Sequence, residues 1–267
     1  RRQRQMCIRD RDAEGYTFMG WSTKPMQSVS PQYEAEEKIT VNGNVDLYAV
    51  VFNRTTETDL TEDQLPQVDI YKYKQVIFVG DSRTEFMENV LTGMGESATK
   101  NVKFVCSAGK GLDWFTTTGW AQLYSIVQHD SNSILSKKTA VIFNFGVNDL
   151  SKSADYAEYY NWIAPQLKSK GCELYFMSVN PVNRLMLPNA GRADRSEAAV
   201  RSFNQYMKAN LSSAYTYIDM YSYLKSTGYS FASDHYGTGT VDDGLHYTTR
   251  TYKRIFAKCM DSLRVPA

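Results

Sequence analysis

From residue 70 onward, short apolar segments alternate with helical patterns, and this alternation limits the fold more than any other feature of the chain. Five apolar, strand-like runs lie at 76–79, 102–106, 140–145, 173–179 and 216–218. Between them, as in 156–167 and 200–211, apolar residues recur every three or four positions, which is typical of helices with one buried face. Strands that are apolar throughout are buried on both faces. The pattern predicts an α/β domain over 70–267, built on a central parallel sheet of about five strands.

The first twelve residues have a different composition and no strand or helix period. They hold five Arg and two Asp, and without them the net charge of the chain falls from +1 to −2. We interpret residues 1–12 as a non-native or disordered tail and leave them out of the fold prediction. A chain this close to neutral gives no electrostatic indication of nucleic-acid binding. We also expect no transmembrane segment, because no apolar run approaches the roughly 18 residues that a spanning helix needs.

Residues 13–53 predict a small β-rich unit. Alternating aromatic and small residues at 15–21 predict a first strand, and 39–41 and 45–51 predict two more. The sequence Gly-Tyr-Thr-Phe-Met-Gly-Trp-Ser-Thr at 15–23, followed by Leu-Tyr-Ala-Val at 47–50, resembles part of an internalin-type B-repeat, or Listeria–Bacteroides repeat. This resemblance implies a bacterial protein that is secreted or displayed on the cell surface. It implies a unit that either contacts the cell wall or a glycan, or only lengthens a stalk.

Residues 54–69 are polar, rich in Thr, Glu and Asp, and include Pro66. This composition predicts a linker between the β-rich unit and the α/β domain.

Ser82 lies where the first predicted strand of the α/β domain ends and a helix begins. The local sequence at 79–84 is Val-Gly-Asp-Ser-Arg-Thr. Open α/β sheets place their reactive groups at the carboxyl ends of strands, and a helix N-terminus presents unpaired N–H groups to an anion. Ser82 is therefore a candidate nucleophile, provided that the chain also supplies a base, an orienting carboxylate and donors for an oxyanion.

The chain has three histidines, so a serine mechanism has few bases to choose from. His246 follows Asp243 by three residues in the sequence Asp-Asp-Gly-Leu-His-Tyr at 242–247. A tight turn through Gly244 can bring the Asp243 carboxylate to the imidazole Nδ1–H, which would fix the tautomer and stabilise the imidazolium. Asp242 competes for this role, but the three-residue offset favours Asp243. On this hexapeptide alone, a structural loop histidine is an equally good interpretation.

Two further strand ends offer hydrogen-bond donors for an oxyanion. Asn148, in Phe-Gly-Val-Asn-Asp at 145–149, has a side-chain amide that can donate, although Asn-Asp is also a common turn or capping pair. Gly109, in Ser-Ala-Gly-Lys-Gly at 107–111, permits close approach of a backbone N–H to a ligand, although most such glycines only form turns.

Together these four segments occur in the order of the SGNH (GDSL-type) hydrolases, and the resemblance covers about 70–263. It implies a three-layer, flavodoxin-like fold and a serine esterase that uses no metal or other cofactor. It implies that Ser82 is the nucleophile, that His246 is the general base and then acid, and that Asp243 orients the histidine.

The same resemblance implies an oxyanion hole made of the backbone N–H groups of Ser82 and Gly109 and the side-chain amide of Asn148. Gly109 is preferred to Gly111 for this role. His129 and His235 lie in no matching segment.

Arg83, Asp149 and Asn180 are candidates for contacting the substrate. Arg83 stands where many members of the family carry an apolar residue after the serine. The sequence leaves open whether it contacts an anionic or sugar substrate or pairs with a nearby carboxylate.

These features predict a serine esterase that removes acyl groups, above all acetyl, from a carbohydrate or cell-wall glycan through an acyl-enzyme. Two alternatives stay open: a glycan-binding or adhesive surface protein with a vestigial hydrolase domain, and an acyltransferase or thioesterase with the same triad. The chain lacks a Gly-x-Ser-x-Gly elbow, a His-Glu-x-x-His motif and a phosphate-binding loop. Their absence argues against an ordinary α/β-hydrolase, a zinc protease and a nucleotide enzyme.

Overall fold

The computed structural model describes residues 15–25, 29–35, 37–69, 72–130, 138–188, 190–193, 195–233 and 242–263, without the side chains of 129, 130 and 233. Its strands are β1 Tyr16–Ser22, β2 Tyr48–Asn53, β3 Tyr73–Gly80, β4 Val102–Cys106, β5 Lys138–Asn144, β6 Cys172–Met177, β7 Tyr215–Ile218, β8 Phe231–Ser233 and β9 Asp242–Tyr247. Its α-helices are α1 Ser82–Met94, α2 Leu112–Trp114, α3 Trp120–Asp130, α4 Ser153–Ser169, α5 Glu197–Asn210, α6 Met220–Thr227 and α7 Thr249–Ser262. The tail predicted at 1–12 and the residue His235 lie outside the described residues. Within the described ranges, no helix combines the length and the apolar character needed to cross a membrane.

Five parallel strands form the central sheet, in the order β4-β3-β5-β6-β7. This confirms the predicted three-layer α/β fold, and the order is the flavodoxin-like one, in which the first strand lies between the second and the third. In the register of the sheet, Gly80 at the end of β3 pairs with Cys106 of β4 and with Asn144 of β5. The loops that follow these three strands therefore leave the same edge of the sheet side by side. This edge is the switch point at which such folds bind ligands.

Both faces of the sheet are buried. In β3, Ile77 and Val79 pack into a cluster with residues of α3, α4 and α5, whereas Val76 and Phe78 pack on the other face with residues of α1 and α7. These four side chains have 0% exposure. Burial on both sides explains why the strands are continuous apolar runs in the sequence.

The hairpin of β8 and β9 stands apart from the central sheet, and its strands are antiparallel. Within β9, Gly244 has a φ of +70°, which L side chains rarely adopt, and a Cβ there would lie 2.4 Å from the carbonyl oxygen of Asn183. Glycine is required at this position for both reasons. At this bend, the carbonyl oxygen of Gly244 accepts the backbone N–H of Asn183, in the segment after β6, at 2.8 Å.

The N-terminal unit is simpler than the sequence predicts. Strands β1 and β2 pair antiparallel, which confirms the strand expected at 15–21; the strand expected at 45–51 is present but begins three residues later, as Tyr48–Asn53. The strand predicted at 39–41 is wrong: the structure has no strand at 37–47, and Val41 is 47% exposed. Local alternation is not sufficient for a strand where no neighbouring backbone supplies hydrogen bonds and no apolar surface covers the side chains.

Residues 54–69 connect the two units, but they also pack against the α/β domain. Leu65 and Val68 belong to the same buried cluster as one face of the central sheet. At the start of the segment, Arg54 donates from Nη1 to Oδ1 of Asp242 at 3.0 Å. Residues 54–69 are therefore hydrogen-bonded to the strand β9 through Arg54.

Candidate active site

The turn between β3 and α1 holds Ser82 in place through its neighbours. Gly80 is tightly enclosed, because a Cβ there would lie 1.9 Å from Oγ1 of Thr84 and 2.9 Å from the carbonyl oxygen of Asn144. The carboxylate of Asp81 accepts the backbone N–H of Arg83 at 3.0 Å and so caps the helix. Ser82 is the first helical residue, so its own backbone N–H has no acceptor within the helix.

A chain of hydrogen bonds joins Ser82, His246 and Asp243. Nε2 of His246 lies 2.9 Å from Oγ of Ser82, and Nδ1 of His246 lies 2.7 Å from Oδ2 of Asp243. Because a carboxylate only accepts, the Nδ1 atom carries the proton, and Nε2 is left to accept the serine hydroxyl. All three side chains are buried, with exposures of 5%, 4% and 2%.

The Asp243 carboxylate is held by the turn through Gly244. Its Oδ1 accepts the backbone N–H of Leu245 at 2.8 Å and that of His246 at 2.7 Å. Burial alone would raise the pKa of Asp243, but the hydrogen bonds from the His246 ring and from these two N–H groups outweigh it and lower the pKa. The neighbouring Asp242 pairs instead with Arg54, so the structure places only Asp243 at the histidine.

The imidazole of His246 is kept neutral by its surroundings. Burial lowers its pKa below the ordinary 6.5, the Asp243 carboxylate opposes this shift, and the cationic Arg192 and Arg83 add to the lowering. The ring of Phe86 packs on the imidazole with centroids 4.5 Å apart. Phe86 lies one helical turn after Ser82, so the same face of α1 carries the serine and the ring that orients its partner.

Asn148 and Gly109 lie in adjacent loops at the same edge of the sheet. The amide of Asn148 donates one N–H to the carbonyl oxygen of Lys110 at 2.8 Å, which leaves its second N–H for another acceptor. Gly109 is exposed and has a φ of +70°, and a Cβ there would have no heavy atom within 4 Å. Its glycine identity therefore serves the backbone conformation and not a close approach.

Asp149 joins the loops that follow β4 and β5. Its Oδ2 accepts the backbone N–H of Leu112 at 2.9 Å, and its Oδ1 accepts the hydroxyl of Tyr156 at 2.7 Å. A Cβ on Gly111 would lie 2.3 Å from Oδ2 of Asp149, so Gly111 is small because this carboxylate packs against it. The structure therefore gives Asp149 a supporting position rather than a free one.

Arg83 and Asn180 are turned into the protein. The guanidinium of Arg83 donates to the carbonyl oxygens of Leu245 at 2.9 Å, Asn180 at 2.9 Å and Pro181 at 2.8 Å. Arg83 is 2% exposed and Asn180 is 1% exposed. The structure thus places Arg83 against neither a substrate path nor a carboxylate, the two alternatives that the sequence leaves open. It instead connects α1 to β9 and to the segment that follows β6.

Three residues of the site are missed by the sequence interpretation: Phe86, Arg192 and Arg195. Arg192 donates from Nη2 to Oδ2 of Asp243 at 3.1 Å, and Arg195 donates from Nη2 to Oδ1 of Asn148 at 3.0 Å. Phe86 could have been found from its four-residue spacing to Ser82. The two arginines give no local signal, because their partners lie about fifty residues away in the chain.

A buried Ser-His-Asp chain at the switch point of a flavodoxin-like sheet defines a class of protein, the serine acyl-hydrolases. Within that class, residues 76–259 match the family model described as GDSL-like Lipase/Acylhydrolase, and the chain belongs to this family of serine esterases. No curated protein sequence matches the chain.

Solved structures with a similar fold include proteins described as an acylhydrolase, an esterase and an acetyltransferase. A Bacteroides fragilis protein designated an acylhydrolase is 16% identical, with 75% of this chain and 92% of that chain covered and a TM-score of 0.49. An acetyl xylan esterase is 11% identical, with 71% and 100% covered and a TM-score of 0.47. The C-terminal catalytic domain of a Streptococcus pneumoniae peptidoglycan O-acetyltransferase is 15% identical, with 72% and 92% covered and a TM-score of 0.43. At these identities the similarity concerns the fold alone.

Proposed function

We propose that the protein hydrolyses short acyl esters, above all acetyl esters, carried by a carbohydrate, and that Ser82, His246 and Asp243 perform the reaction. The observation that carries the proposal is the continuous path of hydrogen bonds from Ser82 Oγ to His246 at 2.9 Å and from His246 to Asp243 at 2.7 Å. This is the arrangement that an activated serine nucleophile requires.

In the first half of the reaction, Ser82 Oγ attacks the ester carbonyl while Nε2 of His246 takes the hydroxyl proton. The tetrahedral intermediate collapses to an acyl-enzyme, and His246 gives the proton to the departing sugar oxygen. In the second half, His246 takes a proton from water, the resulting hydroxide attacks the acyl carbon, and the proton returns to Ser82. Asp243 stabilises the imidazolium in both halves and keeps the proton on Nδ1.

The oxyanion of each intermediate would be bound by the backbone N–H groups of Ser82 and Gly109 and by the free N–H of Asn148. Two observations support the roles of Ser82 and Asn148. The Ser82 N–H belongs to the unpaired first turn of α1, where the helix dipole also favours an anion. The amide of Asn148 is fixed by a bond at each end, so its second N–H points in a constant direction.

The polar rim of the site supports a hydroxyl-rich substrate. Ser107 and Lys110 lie in the loop after β4, and neither residue is buried. Such donors suit a sugar better than an alkyl chain, which would need a continuous apolar surface. We further propose that the protein acts outside the cell and that residues 13–53 contact a glycan, on the resemblance of 15–23 and 47–50 to a B-repeat.

Acyl chain length tests the substrate class. We expect nitrophenyl acetate to be hydrolysed with a higher kcat/KM than the octanoate, and acetate to be released from at least one acetylated polysaccharide. Preference for the octanoate would contradict the acetyl assignment. Transfer of the acetyl group to an added sugar acceptor, in place of its release as acetate, would contradict hydrolysis as the reaction.

The pH dependence tests the role of His246. Only the neutral imidazole can accept the serine proton, so kcat/KM is retained above the pKa of His246 and is lost as the pH falls through it. Because burial lowers that pKa, we expect the acid limb of the profile to lie below pH 6.5.

Asp81 needs a control in this experiment, because burial raises its pKa to about 6. Asp81→Asn keeps a helix-capping side chain and removes this titration. The acid limb that remains in Asp81→Asn belongs to His246, and a limb at or above pH 6.5 in that variant would be inconsistent with a histidine of lowered pKa.

A further inference from the structure

Two arginines three residues apart, in the connection between β6 and α5, contact opposite halves of the active site. The guanidinium of Arg192 reaches the Asp243 carboxylate, and that of Arg195 reaches the Asn148 amide. One short segment of chain therefore touches both the triad and the proposed oxyanion hole.

Arg192 completes the set of donors around Asp243. Oδ2 of Asp243 accepts both Nδ1–H of His246 at 2.7 Å and Nη2–H of Arg192 at 3.1 Å, while Oδ1 is occupied by two backbone N–H groups. The carboxylate cannot rotate without breaking several charge-assisted or backbone bonds. The side chain of Arg192 is 21% exposed, so its charge is only partly screened by solvent.

Arg195 fixes the direction of the Asn148 amide. Its Nε–H donates to the carbonyl oxygen of Val147 at 2.6 Å and its Nη1–H donates to that of Ala193 at 3.0 Å. These two bonds fix the plane of the guanidinium, whose Nη2–H donates to Oδ1 of Asn148. Because Arg195 is a donor only, it can bind the oxygen end of the amide and never the nitrogen end. The amide nitrogen must then face away from Arg195, toward Lys110 and the proposed oxyanion position.

The backbone that carries the two arginines is itself anchored. The N–H of Arg192 donates to the carbonyl oxygen of Leu187 at 2.8 Å, and the N–H of Asn183 donates to that of Gly244, inside β9, at 2.8 Å. At the other end, Ser196 caps α5 by accepting the N–H of Ala199 at 3.1 Å. The connection is thus hydrogen-bonded to the strand of the catalytic histidine near its start, and it runs into a core helix at its end.

We infer that Arg192 and Arg195 are positioning residues of the proposed esterase reaction, the first holding Asp243 against His246 and the second aiming the Asn148 amide at the oxyanion. The inference rests on the proposed function and adds two residues to its machinery. Neither arginine needs to touch the substrate.

For Arg192 the diagnostic measurement is the pH profile. The charged groups that face His246 are Asp243 on its own strand, Arg83 on α1 and Arg192 on the connection, and both arginines lower its pKa. Arg192→Gln removes one of these cations, so we expect the acid limb of kcat/KM to move to higher pH, with KM unchanged. Arg192→Lys retains the charge and should keep the limb near its wild-type position.

For Arg195 the diagnostic measurement is the division between kcat and KM. Arg195→Gln frees the Asn148 amide to rotate, so we expect kcat for nitrophenyl acetate to fall about tenfold or more, with KM held, since small misplacements of a catalytic group cost rate rather than binding. Arg195→Lys can reach one oxygen without the fork and should recover only part of the rate.

Arg250→Gln is the matched control, because Arg250 is exposed on α7 and pairs with Asp59. Its kinetics and pH profile should equal those of the wild type. The inference is overturned if Arg192→Gln keeps the wild-type acid limb, if Arg195→Gln keeps the wild-type kcat, or if either variant changes KM alone, as a substrate contact would. Failure of the proposed function looks different, since the wild type itself would then neither hydrolyse nitrophenyl acetate nor react with a fluorophosphonate.

Discussion

Replacement of Ser82 by alanine is expected to lower kcat for nitrophenyl acetate by about 10⁴-fold or more, as loss of the nucleophile does in other serine hydrolases. The change removes the only atom that can form the acyl-enzyme, while the binding surface and the oxyanion donors remain. A fluorophosphonate should label the wild type once, on Ser82, and should not label the variant. Intact-mass spectrometry and steady-state kinetics measure both outcomes.

The folded state should survive this substitution. The Ser82 hydroxyl bonds only to His246 among the described residues, and the cap formed by Asp81 uses the backbone of Arg83, which the change leaves in place. Thermal unfolding should therefore resemble that of Ser226→Ala, a matched change at an exposed helical serine that bonds to the carbonyl of Tyr223. Hydrolysis above one tenth of the wild-type rate in Ser82→Ala, or a label on another residue, would remove Ser82 from the mechanism.

The parts of this site that could be predicted from the sequence are those whose geometry is local. Ser82 follows a strand that is recognisable as a continuous apolar run, and it opens a helix that is recognisable from the spacing of its apolar residues. Asp243 and His246 are three residues apart, and one glycine with a positive φ brings them together. The parallel register then places the ends of β3, β4 and β5 side by side without further information.

The parts that could not be predicted depend on contacts between distant segments. Arg192 and Asp243 are 51 positions apart, and Arg195 and Asn148 are 47 apart. The sequence around an arginine in a polar loop has no pattern that shows whether its side chain contacts an active-site residue or is exposed to solvent. The strand predicted at 39–41 is wrong for the same physical reason, since a strand exists only where another segment pairs with it.

Arg83 has the largest expected effect on stability, and no local pattern in the chain indicates it. Its guanidinium is the shared donor for three backbone carbonyls, at positions 97, 98 and 162 residues away in the chain. It also lies over the ring of Tyr247, with Cζ 5.2 Å from the ring centroid. Arg83 is 2% exposed, so bulk water does not reach these bonds in the folded protein.

We therefore expect Arg83→Met to lower the free energy of unfolding by about 3–5 kcal/mol, because the buried carbonyl groups of Leu245 and Asn180 lose the guanidinium donor and that of Pro181 keeps only the Tyr247 hydroxyl. Arg83→Lys should recover only part of this, since a single ammonium cannot reproduce the planar fork that reaches three separate oxygens. Denaturation in urea, with the midpoint and slope compared between variants, measures the difference. The control is Arg250→Met, in which an exposed arginine of similar size is lost and a change within about 0.5 kcal/mol is expected.

The same measurements separate a structural Arg83 from one that recognises substrate. A structural arginine predicts that Arg83→Met is destabilised and that Arg83→Lys, once folded at low temperature, has a KM close to that of the wild type. If Arg83 recognises the substrate, the reverse is expected: Arg83→Met keeps its stability, and Arg83→Lys has a KM that is raised severalfold. The three carbonyl bonds favour the first outcome, because a guanidinium whose donors already meet Leu245, Asn180 and Pro181 has little capacity left for a ligand. In that case the residue after the nucleophile fixes the distance between the serine helix and the histidine strand, and it takes no part in the choice of substrate.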